Sequence, residues 1–424
     1  MLIEFSVENF KSIRERQTLS MVASNYYKEL VDENTFEVIS DEKFPRLLKS
    51  AVIYGANASG KTTLVNAMEF VDNFVCNSSK ESQSGDEVPV IPFRLSKETS
   101  VLDSNFEISF FQDGIRYEFG FSANLKRVTS EWLYAYPGGK GQRMYARAYS
   151  PEFDSYHYVW GKNFLGGRRR SDWKGSTRSN ALFLSTAVQL NCEQLKPAYE
   201  WFKSRVATLD PSVLSAGYTM QHFDERKEEI LDFLSAADLF IADVKVNKIK
   251  FDPSLVPTDM PEALRDEVIK NMSGKEFSEP KFYLKSVDDD SLVEFSDDEI
   301  SAGTKALFNF SGPWVDVVTK ARVLFVDELD SSLHPLVVHQ LIKMLHNVGS
   351  AAQVVFTTHD TSILAKGILR RDQIWMIGKN AGQASILTPL SEYSVREDEA
   401  LEKGYLSGRY GGVPFVKDLS IGNR

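Results

Sequence analysis

The 424-residue sequence is poor in the features that mark secreted, metal-binding and membrane-spanning proteins. Its cysteines are Cys76 and Cys192, which are too few for a disulfide framework and show no CxxC or Cys/His metal spacing. No apolar run reaches the roughly eighteen residues that cross a bilayer, and acidic residues interrupt the N-terminal stretch MLIEFSVENFKS. We therefore expect a protein of the reducing cytoplasm with no membrane segment.

The sequence also lacks a long heptad repeat and an excess of positive charge. No heptad pattern lasts beyond about two turns, which excludes a long coiled coil. The net charge of −10 and the pI near 5.3 disfavour a general nucleic-acid coat, although they leave room for a local basic patch. The remaining composition, 42% hydrophobic and 25% charged, is typical of a globular protein with two or three domains.

What the sequence does contain is an alternation of strand and helix patterns. Short apolar runs at 51–54, 323–326 and 353–358 are each separated from the next by helical or polar segments, and this order predicts a parallel sheet. Residues 101–122 and 128–160 alternate apolar and polar side chains, which predicts an antiparallel meander. We therefore expect an α/β fold with a mixed sheet.

Between these strand regions the chain reads differently. Residues 181–205 and 221–242 are predicted to be helical, and the Gly-, Arg- and Ser-rich segment 162–180 is predicted to be a mobile surface loop. This loop carries the clearest basic cluster of the chain, which fits either a solvated surface or a contact with nucleic-acid phosphates or an acidic partner. The cluster consists of Lys162, Arg168, Arg169, Arg170, Lys174 and Arg178.

Residues 55–62 read GANASGKT and fit the phosphate-binding pattern GxxxxGK[ST] at every fixed position. Glycines let the backbone wrap a phosphate, and successive N–H groups at a helix N-terminus stabilise its charge. Lys61 would then reach the β- and γ-phosphates, Thr62 would ligate Mg²⁺, and Thr63 would contact the α-phosphate. The pattern predicts ATP and Mg²⁺ as cofactors, against the alternative of an ordinary glycine turn. The nucleotide-binding candidates are Gly55, Asn57, Ser59, Gly60, Lys61, Thr62 and Thr63.

Two later strands end in polar residues that could complete such a site. Asp327 and Glu328 follow the apolar run VLFV, where parallel sheets place their ligands. We expect Asp327 to hold the Mg²⁺ shell and Glu328 to act as general base toward a water. His359 ends the next apolar run and can hydrogen-bond a γ-phosphate. The alternatives are acids that merely begin a polar loop and a histidine that caps a strand or lies in the core.

The stretch ISAGTK at 300–305 precedes a predicted helix and forms a second anion site of the same physical kind. One nucleotide does not need two such sites in one chain. We therefore expect Ser301 and Gly303 to complete the site of a second copy, which predicts a homodimer or a higher homo-oligomer.

In this order the features resemble an ABC-type ATPase head, and the opening IEFSVENFKSI resembles the RecF/SMC branch. Within that branch the sequence is similar to the prokaryotic AAA-15 ATPases, including the RloA and AbiL ATPases of abortive-infection systems against phages. The resemblance runs over nearly the whole chain. It rests on the sequence motifs VIYGANASGKTTL, ALFLSTAVQLN, AADLFIADV, SAGTKALF, VDELDSSLHP, TTHDTSIL and EKGYLSGRYGGVPFV.

Carried over by motif, the resemblance implies a role for each candidate. The loop at 55–62 matches Walker A, Ser301 and Gly303 match the signature, Asp327 and Glu328 match Walker B, and His359 matches the switch histidine. Asp330 falls in the D-loop, through which such dimers communicate. The signature departs from the usual LSGGQ form, and the stretch VPVIPFRLS at 88–96 stands where a Q-loop is expected.

The resemblance also implies a division of the chain into three segments. Residues 1–160 form an ATPase lobe with the meander, residues 161–280 a loop and helical lid insertion, and residues 281–424 the second half of the head. No coiled coil occupies the insertion, so a compact lid fits better than a lever arm. Only 65 residues follow His359, which is too few for a nuclease domain of the Toprim type. We therefore expect a separate effector chain, a nuclease or a toxin.

Three functions follow from these features. The first is an ATP-hydrolysing dimeric switch that controls the effector of an anti-phage complex. The second is a RecF-like ATPase of DNA repair or recombination, for which DNA would be the direct ligand. The third is a scaffold that binds ATP and hardly hydrolyses it, against which Glu328 argues, because a scaffold needs no placed base.

Overall fold

The chain divides into two compact units in a computed structural model. The first comprises residues 1–210, 317–330 and 341–424, and the second comprises residues 211–316 and 331–340. The structure describes residues 1–38, 43–237, 240–253, 256, 260–274, 276–331, 333–393 and 400–412.

The described strands and helices alternate along most of the chain. The strands are β1 (Leu2–Glu8), β2 (Gln17–Ser20), β3 (Thr35–Glu37), β4 (Arg46–Leu48), β5 (Ser50–Tyr54), β6 (Ser104–Gln112), β7 (Ile115–Asn124), β8 (Arg127–Tyr136), β9 (Gln142–Ser150), β10 (Ser155–Trp160), β11 (Val206–Leu209), β12 (Ile241–Lys250), β13 (Glu276–Lys285), β14 (Leu292–Phe295), β15 (Val323–Val326), β16 (Gln353–Thr357), β17 (Ile374–Lys379) and β18 (Ser385–Pro389). The helices are α1 (Val31–Asn34), α2 (Lys61–Asn77), α3 (Arg169–Ser176), α4 (Phe183–Gln189), α5 (Lys196–Arg205), α6 (Gly217–His222), α7 (Lys227–Ala236), α8 (Glu262–Met272), α9 (Ala302–Thr319), α10 (Pro335–Asn347) and α11 (Leu401–Leu406).

A mostly parallel sheet forms the centre of the first unit, with the strand order β11-β15-β16-β5-β17-β18. Strands β15, β16 and β5 are buried along their whole length. This matches their continuous apolar sequences, because a parallel sheet is covered on both faces. Strand β16 lies between the other two and pairs in parallel with each, so the carboxyl ends of all three strands meet at one edge.

An antiparallel sheet with the order β10-β9-β8-β7-β6-β1-β2 forms the other large layer of the first unit. Its strands alternate between buried and partly exposed residues, as expected for a sheet with one face on the core. Helix α2 contributes residues at helical spacing to the same hydrophobic core, including Leu64, Met68 and Val71. The core thereby joins both sheets to the helix that follows residues 55–60.

The second unit has a smaller antiparallel sheet, in which β13 pairs with β12 and β14. An aromatic cluster supports the first part of α9 within this unit. Phe308 packs edge-on against Phe282 of β13, and Trp314 lies beside Phe233 of α7. The N-terminus of α9 is therefore carried by a packed element.

A buried polar network ties the amino end of the parallel sheet to the end of α10. Lys49 Nζ donates to the carbonyl oxygens of His346 (2.5 Å) and Val348 (2.9 Å), so its charge lies at a helix C-terminus. Ser50 Oγ lies 2.9 Å from His346 Nε2 and accepts a hydrogen bond from Gln373 (2.7 Å). The Ser50 proton is thus directed to His346, which accepts it as a neutral ring.

The structure confirms the mixed α/β fold with a parallel core and an antiparallel meander. The strands expected at 51–54, 323–326 and 353–358 correspond to β5, β15 and β16. No helix among the described residues combines the length and the apolar character needed to cross a bilayer.

Two local expectations were wrong. Residues 162–180 are not a loop throughout, because α3 forms around the buried Trp173, whose indole N–H donates to the Leu190 carbonyl oxygen (3.2 Å). The helix expected at 221–242 is split into α6 and α7, and α7 ends at Ala236. The chain then turns into β12, because that segment pairs with β13.

The three-segment division of the chain stays a prediction. The segment 161–280, expected to be a loop and helical lid, also contains the strands β11 and β12 and part of β13. Strand β11 pairs with β15 in the parallel sheet, so this segment contributes to the head itself.

We expect the buried His346 to lower stability in acid. Burial, with a smaller contribution from Lys49, lowers the pKa of His346 from 6.5 to about 3. The unfolded chain therefore takes up this proton between pH 6.5 and about 3, whereas the folded protein does not. In that range the group lowers the free energy of unfolding by about 1.4 kcal/mol for each pH unit of acidification. Urea unfolding of the unmodified protein and of His346→Gln at pH 7 and pH 5 measures the difference.

The variant should lose less stability than the unmodified protein between the two pH values. His157→Gln, on the exposed part of β10, is the matched control and should behave as the unmodified protein does. An equal acid-induced loss in His346→Gln and in the unmodified protein would contradict the assignment.

Candidate functional site

The loop at 55–60 joins β5 to α2 in a conformation that exposes backbone N–H groups at a helix N-terminus. Gly60 has a φ of +111° and directly precedes α2, without a side-chain cap. Ala58 also has a positive φ, +61°. Such turns at the start of a helix form a concave surface of N–H dipoles that favours an anion.

The two glycines of this loop are needed because the surrounding structure leaves no space for a side chain. A Cβ atom on Gly55 would lie 2.4 Å from the Ile377 carbonyl oxygen, and one on Gly60 would lie 2.2 Å from Ser385 Oγ. The motif pattern is thus explained by close packing on β17 and β18 as well as by backbone conformation.

Lys61 folds back onto the loop. Its Nζ donates to the carbonyl oxygens of Gly55 (2.8 Å) and Ala56 (3.3 Å). Burial lowers the pKa of its ammonium group, and the carboxylates of Glu328, Asp327 and Asp330 oppose that shift. The lysine therefore lies inside the loop and faces the acidic residues that follow β15.

A cluster of hydroxyl groups contacts the end of the loop and the first turn of α2. Ser12 Oγ lies 2.8 Å from Thr63 Oγ1 and 2.8 Å from Ser385 Oγ, and Ser385 Oγ lies 2.6 Å from the Ser59 carbonyl oxygen. The side-chain hydroxyl of Ser59 is itself buried and has no hydrogen-bond partner among the described residues. A buried polar group of this kind is costly unless a ligand satisfies it. Thr62, at the second position of α2, is exposed.

Sequence reasoning missed Ser12 and Ser385. Ser12 follows the N-terminal segment ENFK, which is a weak signal for a functional residue, whereas Ser385 lies in a stretch with no motif. Thr63, predicted to contact an α-phosphate, is buried with its hydroxyl on Ser12. Asn57 is exposed in the loop.

The acidic pair follows β15 at the same edge of the sheet. Asp327 Oδ1 accepts a hydrogen bond from Thr357 Oγ1 (2.6 Å), and the Glu328 N–H donates to the same Thr357 oxygen (2.7 Å). Glu328 has a φ of +51°, and its side chain is exposed. A bulky residue in this left-handed region is strained, and such strain concentrates at functional sites.

His359 lies two residues beyond the end of β16, between the loop and the acids in strand order. The backbone N–H of His359 donates to Asp330 Oδ2 (3.2 Å), and the backbone N–H of Thr358 donates to the Ile53 carbonyl oxygen (3.4 Å). The other carboxylate oxygen of Asp330 is buried and has no hydrogen-bond partner among the described residues. The predicted residues of the first unit therefore meet at three neighbouring strand ends.

Ser301 and Gly303 belong to the second unit. Ser301 caps α9: its Oγ accepts from the Thr304 N–H (3.2 Å) and lies 2.8 Å from Thr304 Oγ1. Lys305 forms a 2.7 Å ion pair with Asp297 in the preceding turn. Both Ser301 and Gly303 thus lie at the exposed start of a long helix, where N–H groups point outward.

The stretch 88–96, expected to hold a Q-loop, is fixed by the opening motif of the chain. The Phe93 N–H donates to Asn9 Oδ1 (3.1 Å), and the Lys11 N–H donates to the Ile91 carbonyl oxygen (2.7 Å). No glutamine occurs in the stretch. Its assignment as a Q-loop stays a prediction.

The C-terminal motif EKGYLSGRYGGVPFV contacts the start of the loop at 55–60 and the strand before it. Residues 413–416 of this motif lie outside the described residues. Tyr405 packs on Tyr54 with ring centroids 5.3 Å apart. A Cβ on Gly412 would lie 3.4 Å from the Cα atom of Gly55. Gly412 therefore lies against the start of the loop, in a backbone conformation of φ +74° that favours glycine.

Part of the basic cluster makes contacts within the protein. Arg178 donates to the carbonyl oxygens of Ser78 (3.2 Å) and Ser79 (3.1 Å) after α2. Arg170 lies over the rings of Trp160 and Phe164, with distances of 5.7 and 5.4 Å to their centroids. Lys174 is exposed, and its Nζ lies 5.5 Å from the centroid of the Tyr158 ring. Lys162, Arg168 and Arg169 are also exposed.

Together, the sheet order, the loop and the acids define an α/β fold with a P-loop at the carboxyl edge of a mostly parallel sheet. The family described as "AAA domain, putative AbiEii toxin, Type IV TA system" matches residues 50–155 and 194–365. These ranges cover more than half of the chain, and the protein belongs to this family.

No curated protein matches the chain. Among solved structures, the SMC head domain from Thermotoga maritima is 11% identical, with a TM-score of 0.41 and coverage of 92% of this chain and 98% of that chain. A structure of the SmcHead bound to the C-winged helix domain of ScpA is 12% identical, with a TM-score of 0.45 and coverage of 92% and 99%.

We predict that Gly60→Ala disables the loop. The change combines a positive φ with a Cβ that would lie 2.2 Å from Ser385 Oγ, so the loop must shift. We expect at least about a tenfold loss of ATP affinity, equivalent to about 1.4 kcal/mol, measured by titration with a fluorescent ATP analogue.

The matched control is Gly114→Ala. Gly114 also has a positive φ, +74°, but a Cβ there meets no atom within 4 Å. This variant should lose about 1 kcal/mol of stability and keep its ATP affinity. Equal ATP affinities in the two variants would show that the tight packing is irrelevant to the loop.

Proposed function

We propose that this protein binds and hydrolyses ATP with Mg²⁺ and acts as a dimeric switch in an anti-phage defence complex. The observation that carries the ATPase proposal is the meeting of the 55–62 loop, the Asp327–Glu328 pair and His359 at neighbouring strand ends of one sheet. Ligands of open α/β sheets bind at this edge.

The residues present fit ATP and Mg²⁺. The loop offers N–H groups at a helix N-terminus, and the buried Ser59 hydroxyl has no hydrogen-bond partner among the described residues. Thr62 and Asp327 supply oxygen atoms, which are the ligands that Mg²⁺ prefers. When bound, Mg²⁺ neutralises phosphate charge and polarises the γ-phosphate.

In this mechanism Lys61, Glu328 and His359 have different roles. Lys61 would exchange its bonds to the Gly55 and Ala56 carbonyl oxygens for bonds to phosphate oxygens. Glu328, exposed at the end of its strand, would accept a proton from the attacking water. His359 would donate a hydrogen bond to the γ-phosphate, while its backbone is held by Asp330.

The dimer is proposed from the second unit. Ser301 and Gly303 form an exposed helix N-terminus, which is suited to an anion. We propose that this surface completes the ATP site of a second copy, in a dimer or a higher homo-oligomer. Asp330 would then transmit the state of one site to the other, because it bonds the His359 N–H.

The defence role is supported by the family description, which refers to a toxin of a type IV toxin–antitoxin system. We propose that the protein controls a separate nuclease or toxin subunit in the cytoplasm. The RecF-like alternative requires DNA as direct ligand, and DNA-stimulated hydrolysis without any partner would favour it. A scaffold that only binds ATP would show turnover near the uncatalysed rate.

Glu328→Gln is predicted to slow hydrolysis and keep ATP binding. Loss of a general base costs about 100-fold or more in kcat, whereas the amide preserves the shape of the side chain. The variant should therefore accumulate as an ATP-bound dimer, which light scattering after size-exclusion chromatography would detect with Mg²⁺ and ATP.

Glu152→Gln, in the exposed turn between β9 and β10, is the control and should hydrolyse ATP as the unmodified protein does. A Glu328→Gln variant that stays monomeric with ATP bound would contradict the dimer. Unchanged turnover would contradict the assignment of the base.

Phage protection is predicted to depend on Lys61. Cells that carry Lys61→Ala, together with the neighbouring genes of the locus, should show the plaque counts of cells without the protein, because the lysine would no longer bind phosphate. Lys97→Ala, on an exposed loop, should protect as the unmodified protein does. Intact protection with Lys61→Ala would mean that ATP does not control the defence.

A further inference from the structure

One residue bonds all three residues that follow strand β15. Thr357 Oγ1 donates to Asp327 Oδ1 (2.6 Å) and accepts from the Glu328 N–H (2.7 Å). The Thr357 carbonyl oxygen accepts from the Leu329 N–H (3.0 Å). The acidic pair is therefore held from the neighbouring strand, by the last residue of β16.

The direction of these bonds follows from the chemistry of a hydroxyl group. It has one proton, and a carboxylate oxygen can only accept it. The backbone N–H of Glu328 can only donate, so it bonds a lone pair of the same oxygen. One carboxylate oxygen of Asp327 is thus committed to Thr357, and the other remains for a ligand.

The bonds also flank a strained residue. Glu328 has a φ of +51°, a conformation that residues with a long side chain rarely adopt. Its own N–H and that of Leu329 both bond Thr357, which fixes the turn on each side of the strained backbone. The direction in which the Glu328 side chain leaves the strand is therefore set by Thr357.

Threonine suits this place for a physical reason. Thr357 is fully buried in a central strand, where a branched side chain has few rotamers. Valine would have nearly the same shape without the hydroxyl, and serine would keep the hydroxyl without the methyl group. The two substitutions separate the hydrogen bonds from the packing.

We propose that Thr357 is a positioning residue for ATP hydrolysis: it orients Asp327 toward the Mg²⁺ shell and Glu328 toward the attacking water. The inference rests on the proposed ATPase function. It assigns to Thr357 no contact with the nucleotide, so ATP affinity without Mg²⁺ should not depend on the hydroxyl.

The test compares Thr357→Val with Thr357→Ser. In Thr357→Val we expect kcat to fall about 10- to 100-fold, as for a small misplacement of catalytic groups. The gain in ATP affinity on adding Mg²⁺ should shrink, and the affinity without Mg²⁺ should stay within about twofold. Thr357→Ser should recover most of the kcat and of the Mg²⁺ effect.

Thr219→Val is the matched control in the second unit. Thr219 is also fully buried, and its Oγ1 donates to the Asn309 carbonyl oxygen (3.0 Å) and accepts from the Gly312 N–H (3.2 Å). It thus loses the same pair of hydrogen bonds, from a threonine that bonds no acidic residue through them. We expect a lower melting temperature with kcat and the Mg²⁺ effect retained.

The outcomes separate this inference from the proposed function. If the unmodified protein neither binds nor hydrolyses ATP, the proposed function fails. If the unmodified protein binds and hydrolyses ATP, and Thr357→Val keeps both the kcat and the gain in ATP affinity on adding Mg²⁺, only the role of Thr357 is overturned. The same holds if Thr357→Val and Thr219→Val lose kcat equally. If Thr357→Val does not fold, Thr357→Ala replaces it, and a kcat equal to that of Thr357→Ser overturns the role.

Discussion

The pairing of β16 between β5 and β15 is the constraint on which the candidate site depends. Neighbouring strands lie about 4.8 Å apart, so the strand before the phosphate-binding loop and the strand before the acids are about 10 Å apart. This spacing leaves room for a phosphate chain between the loop and the carboxylates. It also brings the end of β16, with Thr357 and His359, between the two.

The two ends of this sheet differ in the hydrogen bonding of their buried side-chain oxygens. At the amino end, Lys49, Ser50, His346 and Gln373 bond one another or nearby backbone groups. At the carboxyl end, several buried oxygens have no hydrogen-bond partner among the described residues; these are Ser59 Oγ, Asp330 Oδ1 and Asp360 Oδ2. Buried polar groups are normally paired, so these three oxygens fit a site that a ligand completes. The amino end anchors the sheet, and the carboxyl end is where binding would stabilise it.

The loop is held by elements from distant parts of the chain. Strands β17 and β18 leave no room for side chains at Gly55 and Gly60, and Gly412 lies against Gly55. The loop is therefore enclosed by contacts from the N-terminal region, from residues 374–389 and from Gly412. Such enclosure stabilises the loop in spite of its positive φ angles, and it connects the candidate nucleotide site with both ends of the described chain.

The sequence alone determined the parts whose signals are local. Apolar runs predicted β5, β15 and β16, and the glycine and lysine spacing identified the loop before α2, because period and turn chemistry are read within a few residues. What only the tertiary structure decided was which distant residues support these parts. The hydroxyl contacts of Ser12 with Thr63 and with Ser385 join residues 51 and 373 positions apart, and no local pattern specifies such pairs. Thr357 looked like the end of an apolar strand until strand pairing placed its hydroxyl between Asp327 and Glu328.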